Sequence, residues 1–320
     1  MTGVIPSQFE PLAIVSRSGV DESVHFGALV ALNSDGSVAF SVGDPEVTVF
    51  PRSATKPFQA LAMVRAGLSL PAEQLALVCA SHSGQAVHQQ TARDILATAN
   101  LDETALLNTA GFSIHVPTAH EVIRSGGGKT PIQMDCSGKH AGMLATCVLN
   151  GWTTDNYLQP EHPLQIAITN TITDVTGVAP VAIGTDGCGA PAHVIPLLHL
   201  ARAMRALAVG DAGPEGRQVF DAMEQFPHMV AGDDRHVTAI ASAIPGLAAK
   251  DGADSIYVAA MSDGRAVALK LSDGSGRALP TVLLAALQRL GIDVSAVPHT
   301  VAEIVLGHGK PVGNVRAINI

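Results

Sequence analysis

The sequence predicts an α+β fold: an antiparallel sheet built from the N- and C-terminal segments, with helices packed on it and a helical region inserted between. Three observations predict this layout. Short apolar runs bounded by turn residues lie near both ends, helical apolar spacing fills the middle, and the two patterns do not alternate as βαβ units would. One domain over 1–320 is expected, with the helical insertion at roughly 53–245.

Residues 12–15, 25–32 and 37–42 read as strands, the last two joined at Asn33-Ser34-Asp35-Gly36, whose residue types suit a tight turn. Residues 53–66 read as a helix. Leu61, Ala62, Val64 and Ala66 continue its apolar pattern, Gly67 is a stop signal, and Pro57 is tolerated only in a first turn. Further helices are expected near 71–79, 86–99, 140–149, 161–176, 190–208 and 214–225, with 234–243 and 279–290 as two more. A strand-like run at 180–183 precedes a glycine-dense loop, and 208–216 reads as a surface loop. Late in the chain, 255–261 and 266–271 form a second hairpin around Ser262-Asp263-Gly264-Arg265, and 312–318 adds a last strand.

Composition narrows the function. A formal charge of -9, with no basic run, argues against nucleic acid or an anionic membrane surface as partner and points to a small molecule. No window approaches the ~18 to 20 uninterrupted apolar residues of a membrane helix, and Met1-Thr2-Gly3-Val4-Ile5-Pro6 shows no signal-peptide pattern. A cytoplasmic location is the expectation. Cys79, Cys136, Cys147 and Cys188 form no CxxC pair, so reduced thiols are expected, some of them available to a metal.

The stretch with most chemical content is Pro51-Arg52-Ser53-Ala54-Thr55-Lys56-Pro57. Positions i and i+3 share a helix face, so the Lys56 amine is placed to take a proton from the Ser53 hydroxyl. A helix start also favours negative charge on that oxygen. Ser-x-x-Lys occurs by chance as a helix cap with a solvated lysine. The motifs that follow decide against that reading here.

Cys79-Ala80-Ser81-His82-Ser83-Gly84-Gln85 offers a second hydroxyl relay, although its composition also suits a turn capping the next helix. Met134-Asp135-Cys136-Ser137-Gly138-Lys139-His140 runs into a helix whose first N–H groups suit a carboxylate, with Lys139 or His140 adding charge. In Gly184-Thr185-Asp186-Gly187-Cys188-Gly189, Asp186 suits a substrate ammonium, and Cys188 could join Cys136 as a soft metal ligand or remain a buried thiol. Lys250-Asp251-Gly252, just ahead of a strand, echoes the Lys-Thr-Gly element of active-site-serine enzymes. Two other patterns fail: Ser125-Gly126-Gly127-Gly128-Lys129-Thr130 has Ile123 where a phosphate loop needs its first glycine, and the thirteen histidines include no HExxH pair. No organic cofactor is expected.

These four motifs, in this order, resemble the rhizobial-type L-asparaginase family, also called asparaginase II, which is distantly similar in fold to serine β-lactamases and serine glutaminases. The resemblance spans nearly the whole chain. It implies a single catalytic domain that deamidates L-asparagine, with Ser53 as nucleophile, Lys56 as its base, and a second Ser-Lys tandem at Ser83 and Lys250, Lys270 being the alternative. It also implies a homodimer, substrate recognition by Arg52, Ser137, Lys139, His140, Asp186 and Gly187, and zinc held by Cys136, Lys139 and Cys188. The same catalytic pair would suit a glutaminase or another Ser-x-x-Lys acyl hydrolase, and an idle serine would leave a zinc or amino-acid binding protein. Asp251 departs from the Lys-Thr-Gly pattern, and an acidic neighbour would keep Lys250 charged.

Overall fold

The computed structural model describes residues 6–320. The opening stretch 1–5, where no leader is expected, lies outside them. The α+β expectation holds. Strands β1 (Glu10–Arg17) and β2 (Val20–Leu32) are joined by Ser18 and Gly19, both with positive φ, the two-residue turn that matches the twist of antiparallel strands. β2 is long enough to serve two neighbours on one side. Its first half pairs with β1, and its second half pairs with β3 (Val38–Val42) on that side and with β9 (Ala266–Leu271) on the other.

The eight-stranded sheet is completed by β7 (Leu247–Gly252), β8 (Ile256–Met261), β10 (Ile304–Gly307) and β11 (Lys310–Ala317), in the order β10-β11-β1-β2-β9-β8-β7, and among the described residues its neighbouring strands are antiparallel. Thus the two ends of the chain meet in one sheet, at Ala13 opposite Ala317. All six residues of β8 are buried, so both faces of the sheet are covered there. Helices α7 (Leu197–Val209) and α11 (Leu279–Arg289) both pack on β8 and β9.

The central helix of the inserted region is α1 (Lys56–Arg65), which buries eight of its ten residues. It packs against α2 (Ala72–Val78), α5 (Ser137–Leu149), α6 (Pro163–Thr176) and α8 (Pro214–Gln225). A helix apolar on every side belongs in a core, and the lysine at its first position is buried with it.

Several expectations are corrected. The helix expected at 190–208 is strand β6 (Pro191–Pro196) followed by α7, because a proline inside a helix clashes with the preceding turn and Pro196 confines the helix to residues after it. β6 pairs with β4 (Thr48–Val49) and β5 (Ala182–Thr185), so the insertion carries a small sheet of its own. Ser53 does not begin the α-helix; it sits in a 3-10 turn, Arg52–Thr55, that leads into it. Lys250 lies inside β7 rather than ahead of a strand. The pattern reading also missed β10 and α4 (Val116–Arg124), although Val116, Ala119 and Ile123 of α4 stand at helical spacing.

Candidate active site

The 3-10 turn at Arg52–Thr55 begins with Arg52 at φ 50°, a left-handed conformation unusual for a residue with a side chain. Ala54 N–H donates to Pro51 O at 2.9 Å and the Thr55 hydroxyl donates to Arg52 O at 2.8 Å, which closes the turn. The guanidinium of Arg52 is held from two sides, Nε by Asp186 Oδ1 at 2.7 Å and Nη1 by Asp254 Oδ2 at 2.5 Å. In a 3-10 turn side chains three apart eclipse, so Ser53 and Lys56 leave the chain on one side. The Ser53 hydroxyl makes no hydrogen bond among the described residues, so the expected bond to Lys56 is not formed and that amine turns to Ala80 and Ser81. Ser53 itself is nearly buried, at 8% exposure.

Strand β7 lies against this turn because residue 252 is glycine. A Cβ there would stand 2.6 Å from Pro51 O and 3.1 Å from Ala54 N, so any side chain would push the strand away from Ser53. That gives the glycine of the Lys-x-Gly element a steric reason.

Lys56 Nζ donates to Ala80 O at 2.5 Å and meets Ser81 Oγ at 3.0 Å, with Asp135 Oδ2 at 3.8 Å. Lys250 Nζ reaches the same Ser81 Oγ at 2.9 Å and donates also to Asp251 O at 2.5 Å and Asp251 Oδ1 at 3.0 Å. Both lysines are buried. Burial pulls the Lys250 amine down to about 8, with the Asp251 carboxylate the largest influence opposing it. Asp251 is in turn held below the usual carboxylate range: burial would raise it, but the charges of Lys250 and Arg235 outweigh burial. Arg235 Nη2 bonds Asp251 Oδ2 at 2.8 Å, and its Nη1 bonds Ser81 O at 3.2 Å.

The Ser81 segment belongs to no helix or strand and is held on both sides, Ser81 N–H by Val230 O and His82 N–H by Asp135 O, each at 3.1 Å. His82 pins it from beneath. Its Nδ1 accepts from Gly84 N–H at 3.0 Å, so the neutral ring carries its proton on Nε2, which faces Ser137 Oγ at 2.9 Å. Burial holds His82 well below the ordinary histidine range, in keeping with that neutral form. Helix α5 approaches closely enough for this bond because Gly138 faces Leu77, where a Cβ would come within 2.6 Å of the Leu77 carbonyl oxygen.

Cys136 and Cys188 share a small buried cluster with Ala190, and Lys139 Nζ lies 3.1 Å from Cys188 Sγ. The neighbouring Cys136 thiol, with Lys139 adding its charge, lowers Cys188 and favours its thiolate. Burial lowers Lys139, but the two cysteines outweigh it and leave the amine above the usual lysine range. His140 Nδ1 pairs with Tyr157 Oη at 2.8 Å, and its buried Nε2 has no hydrogen-bond partner among the described residues. Two sulfurs and an amine suit zinc by donor type, provided the ion displaces the lysine's proton. Among the described residues no three His, Cys, Asp or Glu side chains gather, so a lysine would have to serve as third ligand.

Of the residues expected here, Ser53, Lys56, Lys250, Arg52, Asp186 and Gly187 line the region of the turn, β7 and the 186–187 loop, where Gly187 N–H donates to Asp186 Oδ1. The structure corrects the second tandem: Ser81, not Ser83, meets Lys250, and the buried Ser83 Oγ has no hydrogen-bond partner. Lys270 caps Asp254 O and Leu271 O instead. Ser137, Lys139 and His140 are buried and bonded within the protein, turned to His82, Cys188 and Tyr157 respectively. Ser81 and Asp251 stand inside the motifs singled out from sequence, whereas Arg235 lies in no motif at all.

Comparison with known proteins completes the description. The family model described as L-asparaginase II matches residues 13–317. No curated protein matches the chain. Among solved structures, Mglu in its native form is 14% identical at a TM-score of 0.46, over 88% of this chain and 66% of that one, so the chain spans just under two thirds of Mglu. A putative β-lactamase from Bacteroides dorei is 15% identical at 0.46, over 82% and 92% of the two chains. A Bacillus glutaminase is 13% identical at 0.39, over 84% and 92%.

Proposed function

Because the chain belongs to the L-asparaginase II family, we propose that it hydrolyses L-asparagine to L-aspartate and ammonia through a serine acyl-enzyme. One observation carries this reading. Two buried lysine amines converge on a single serine hydroxyl, that of Ser81, at 3.0 and 2.9 Å, and Ser53, three residues before the first of these lysines, has a hydroxyl with no hydrogen bond among the described residues. Burying two amines together is costly, and such groups gather where protons are to be moved.

Ser53 Oγ attacks the side-chain amide carbon while Lys56 accepts its proton. The tetrahedral oxyanion is received by the Ser53 N–H, with an outward N–H of the edge strand β7 as second donor. Ser81 then passes the proton to the amide nitrogen, the C–N bond breaks, and ammonia leaves. Water hydrolyses the aspartyl ester with Lys56 again as base. Arg52 receives the substrate carboxylate and Asp186 its ammonium, a pairing supported by their position beside the Ser53 turn. Ser137 and His140 hold the loops rather than the substrate.

Cys136, Lys139 and Cys188 would hold a zinc ion, whose contribution there would be to cross-link the loops that carry them. A homodimer is the assembly that family membership suggests, and four free, buried cysteines fit a reducing compartment such as the cytoplasm.

The test is ammonia release from L-asparagine and L-glutamine by wild-type protein and by Ser53→Ala, with folding checked by thermal melting. Asparagine turnover that disappears in the folded variant is the expected result. Preference for glutamine would reassign the substrate, and turnover surviving in Ser53→Ala would remove that serine as nucleophile.

A further inference from the structure

Lys250 has three N–H donors when charged, and three acceptors meet it: Ser81 Oγ, Asp251 O and Asp251 Oδ1. A neutral amine could keep all three contacts only by accepting the single Ser81 hydroxyl proton, which would then be lost to Lys56 on the same oxygen. Lys56 differs, with two hydrogen-bond partners, Ala80 O and Ser81 Oγ, and Asp135 beyond bonding distance at 3.8 Å. One lysine is saturated as a donor and the other has a valence to spare.

The saturation depends on Asp251. The groups facing Lys250 are Lys56 from α1, Cys79 from the end of α2, Arg235 and His236 from the segment before β7, and Asp251 itself. Burial pushes the Cys79 thiol up to about 12 and lowers His236, so both are neutral. Asp251 is the anion among them. Arg235 fixes both ends of the arrangement, since one guanidinium holds the Asp251 carboxylate and the Ser81 carbonyl.

Resting on the amidohydrolase reading above, we propose that Asp251, clamped by Arg235, is a positioning residue that holds Lys250 as a fully engaged ammonium against Ser81. Lys56 is thereby left as the one lysine able to accept the nucleophile's proton. Lys250 instead stabilises negative charge on Ser81 as that hydroxyl gives its proton to the departing nitrogen, and Lys250 gains and loses no proton in the cycle.

The experiment compares pH profiles of ammonia release for wild type, Asp251→Asn, Arg235→Lys and Arg235→Ala. Asp251→Asn should lower kcat at least about tenfold with KM changed less than about threefold, and should move the alkaline limb to lower pH by about one unit. Arg235→Lys, which keeps the charge, should restore part of what Arg235→Ala loses. An Asp251→Asn enzyme with the wild-type limb and kcat overturns the proposal while leaving the amidohydrolase reading intact.

A second measurement needs no stable Asp251 variant and no turnover. In 15N-lysine-labelled wild-type protein at pH 7, the Lys250 Nζ resonance, assigned by its loss in Lys250→Arg, should be that of an ammonium. A neutral amine overturns the proposal. Absence of ammonia release, or release surviving in Ser53→Ala, would instead sink the amidohydrolase scheme, and the resonance would still decide the state of Lys250.

Discussion

Lys250 Nζ stands 2.9 Å from Ser81 Oγ although 169 positions separate them in the chain. The same oxygen receives Lys56 Nζ at 3.0 Å. Ser81→Ala would leave two buried amines without their shared partner, and the expected result is a loss of about 100- to 1000-fold in kcat, the scale of a lost proton-transfer group. Ser83 has no hydrogen bond to lose, so Ser83→Ala should cost less than about tenfold. Assays of ammonia release on both variants check this. Equal losses would take Ser81 out of the proton path.

Gly252→Ala tests the steric seat of β7. The added methyl meets Pro51 O and Ala54 N inside contact distance, and overpacking of this kind costs about 1–3 kcal/mol. Gly128→Ala, where nothing lies within 4 Å, is the control. Urea unfolding should separate the two, with turnover falling in the first variant alone. Equal stability would mean that β7 does not depend on the missing side chain.

Acid should destabilise the protein before its carboxylates titrate. Burial lowers His88 and His193 to about 4 from the usual 6.5, and lowers His82 and His236 as well. Because the folded values lie below the unfolded one, the unfolded chain binds protons first as pH falls. Stability is therefore full above about 6.5 and declines from there towards 4, by up to about 3 kcal/mol for each fully shifted histidine. Urea midpoints measured between pH 7.5 and 4.5 give the slope. A flat profile across that window contradicts the neutral, buried histidines.

Removing the Cys188 thiolate leaves Lys139 charged and buried. Cys188→Ala should cost roughly 3–5 kcal/mol, and adding Lys139→Met should recover part of it, because an apolar pair replaces a broken ionic one. Zinc at about a hundredfold excess over its dissociation constant should stabilise the wild type by about 2.7 kcal/mol. Thermal melts with and without zinc check both statements. An equal zinc shift in Cys136→Ala would exclude that cysteine as a ligand.

Much of this arrangement was legible in the sequence because turn chemistry and motif order are local. Pro57 and Gly67 bracket α1 to within a turn, and two of the lysines singled out, Lys56 and Lys250, meet on one hydroxyl of a singled-out motif. The choice between Ser81 and Ser83 was not legible. Ser81 and Ser83 flank His82 in one motif, so pattern offers two like hydroxyls, and only the position of β7 selects one. Arg235 carries no local signal, since its role arises from Asp251 and Ser81 meeting in space. Strand β6 was hidden by apolar residues that suit helix and strand alike, and Pro196 was the cue that separates them.

The joining of the two chain ends in one sheet also sets when the two-lysine cluster on Ser81 can assemble. β2 can form its hairpin with β1 at once, but its partner β9 arrives much later, with Gly27 waiting for Leu271. Distant pairings of this sort make for slow folding, because the entropy of closing the loop precedes any gain from contact. Lys250 belongs to the same late group of strands. A chain emerging from the ribosome therefore displays Ser53, Lys56 and Ser81 long before the strand that carries Lys250, and the pair of amines on Ser81 is complete only when β7 to β9 have docked.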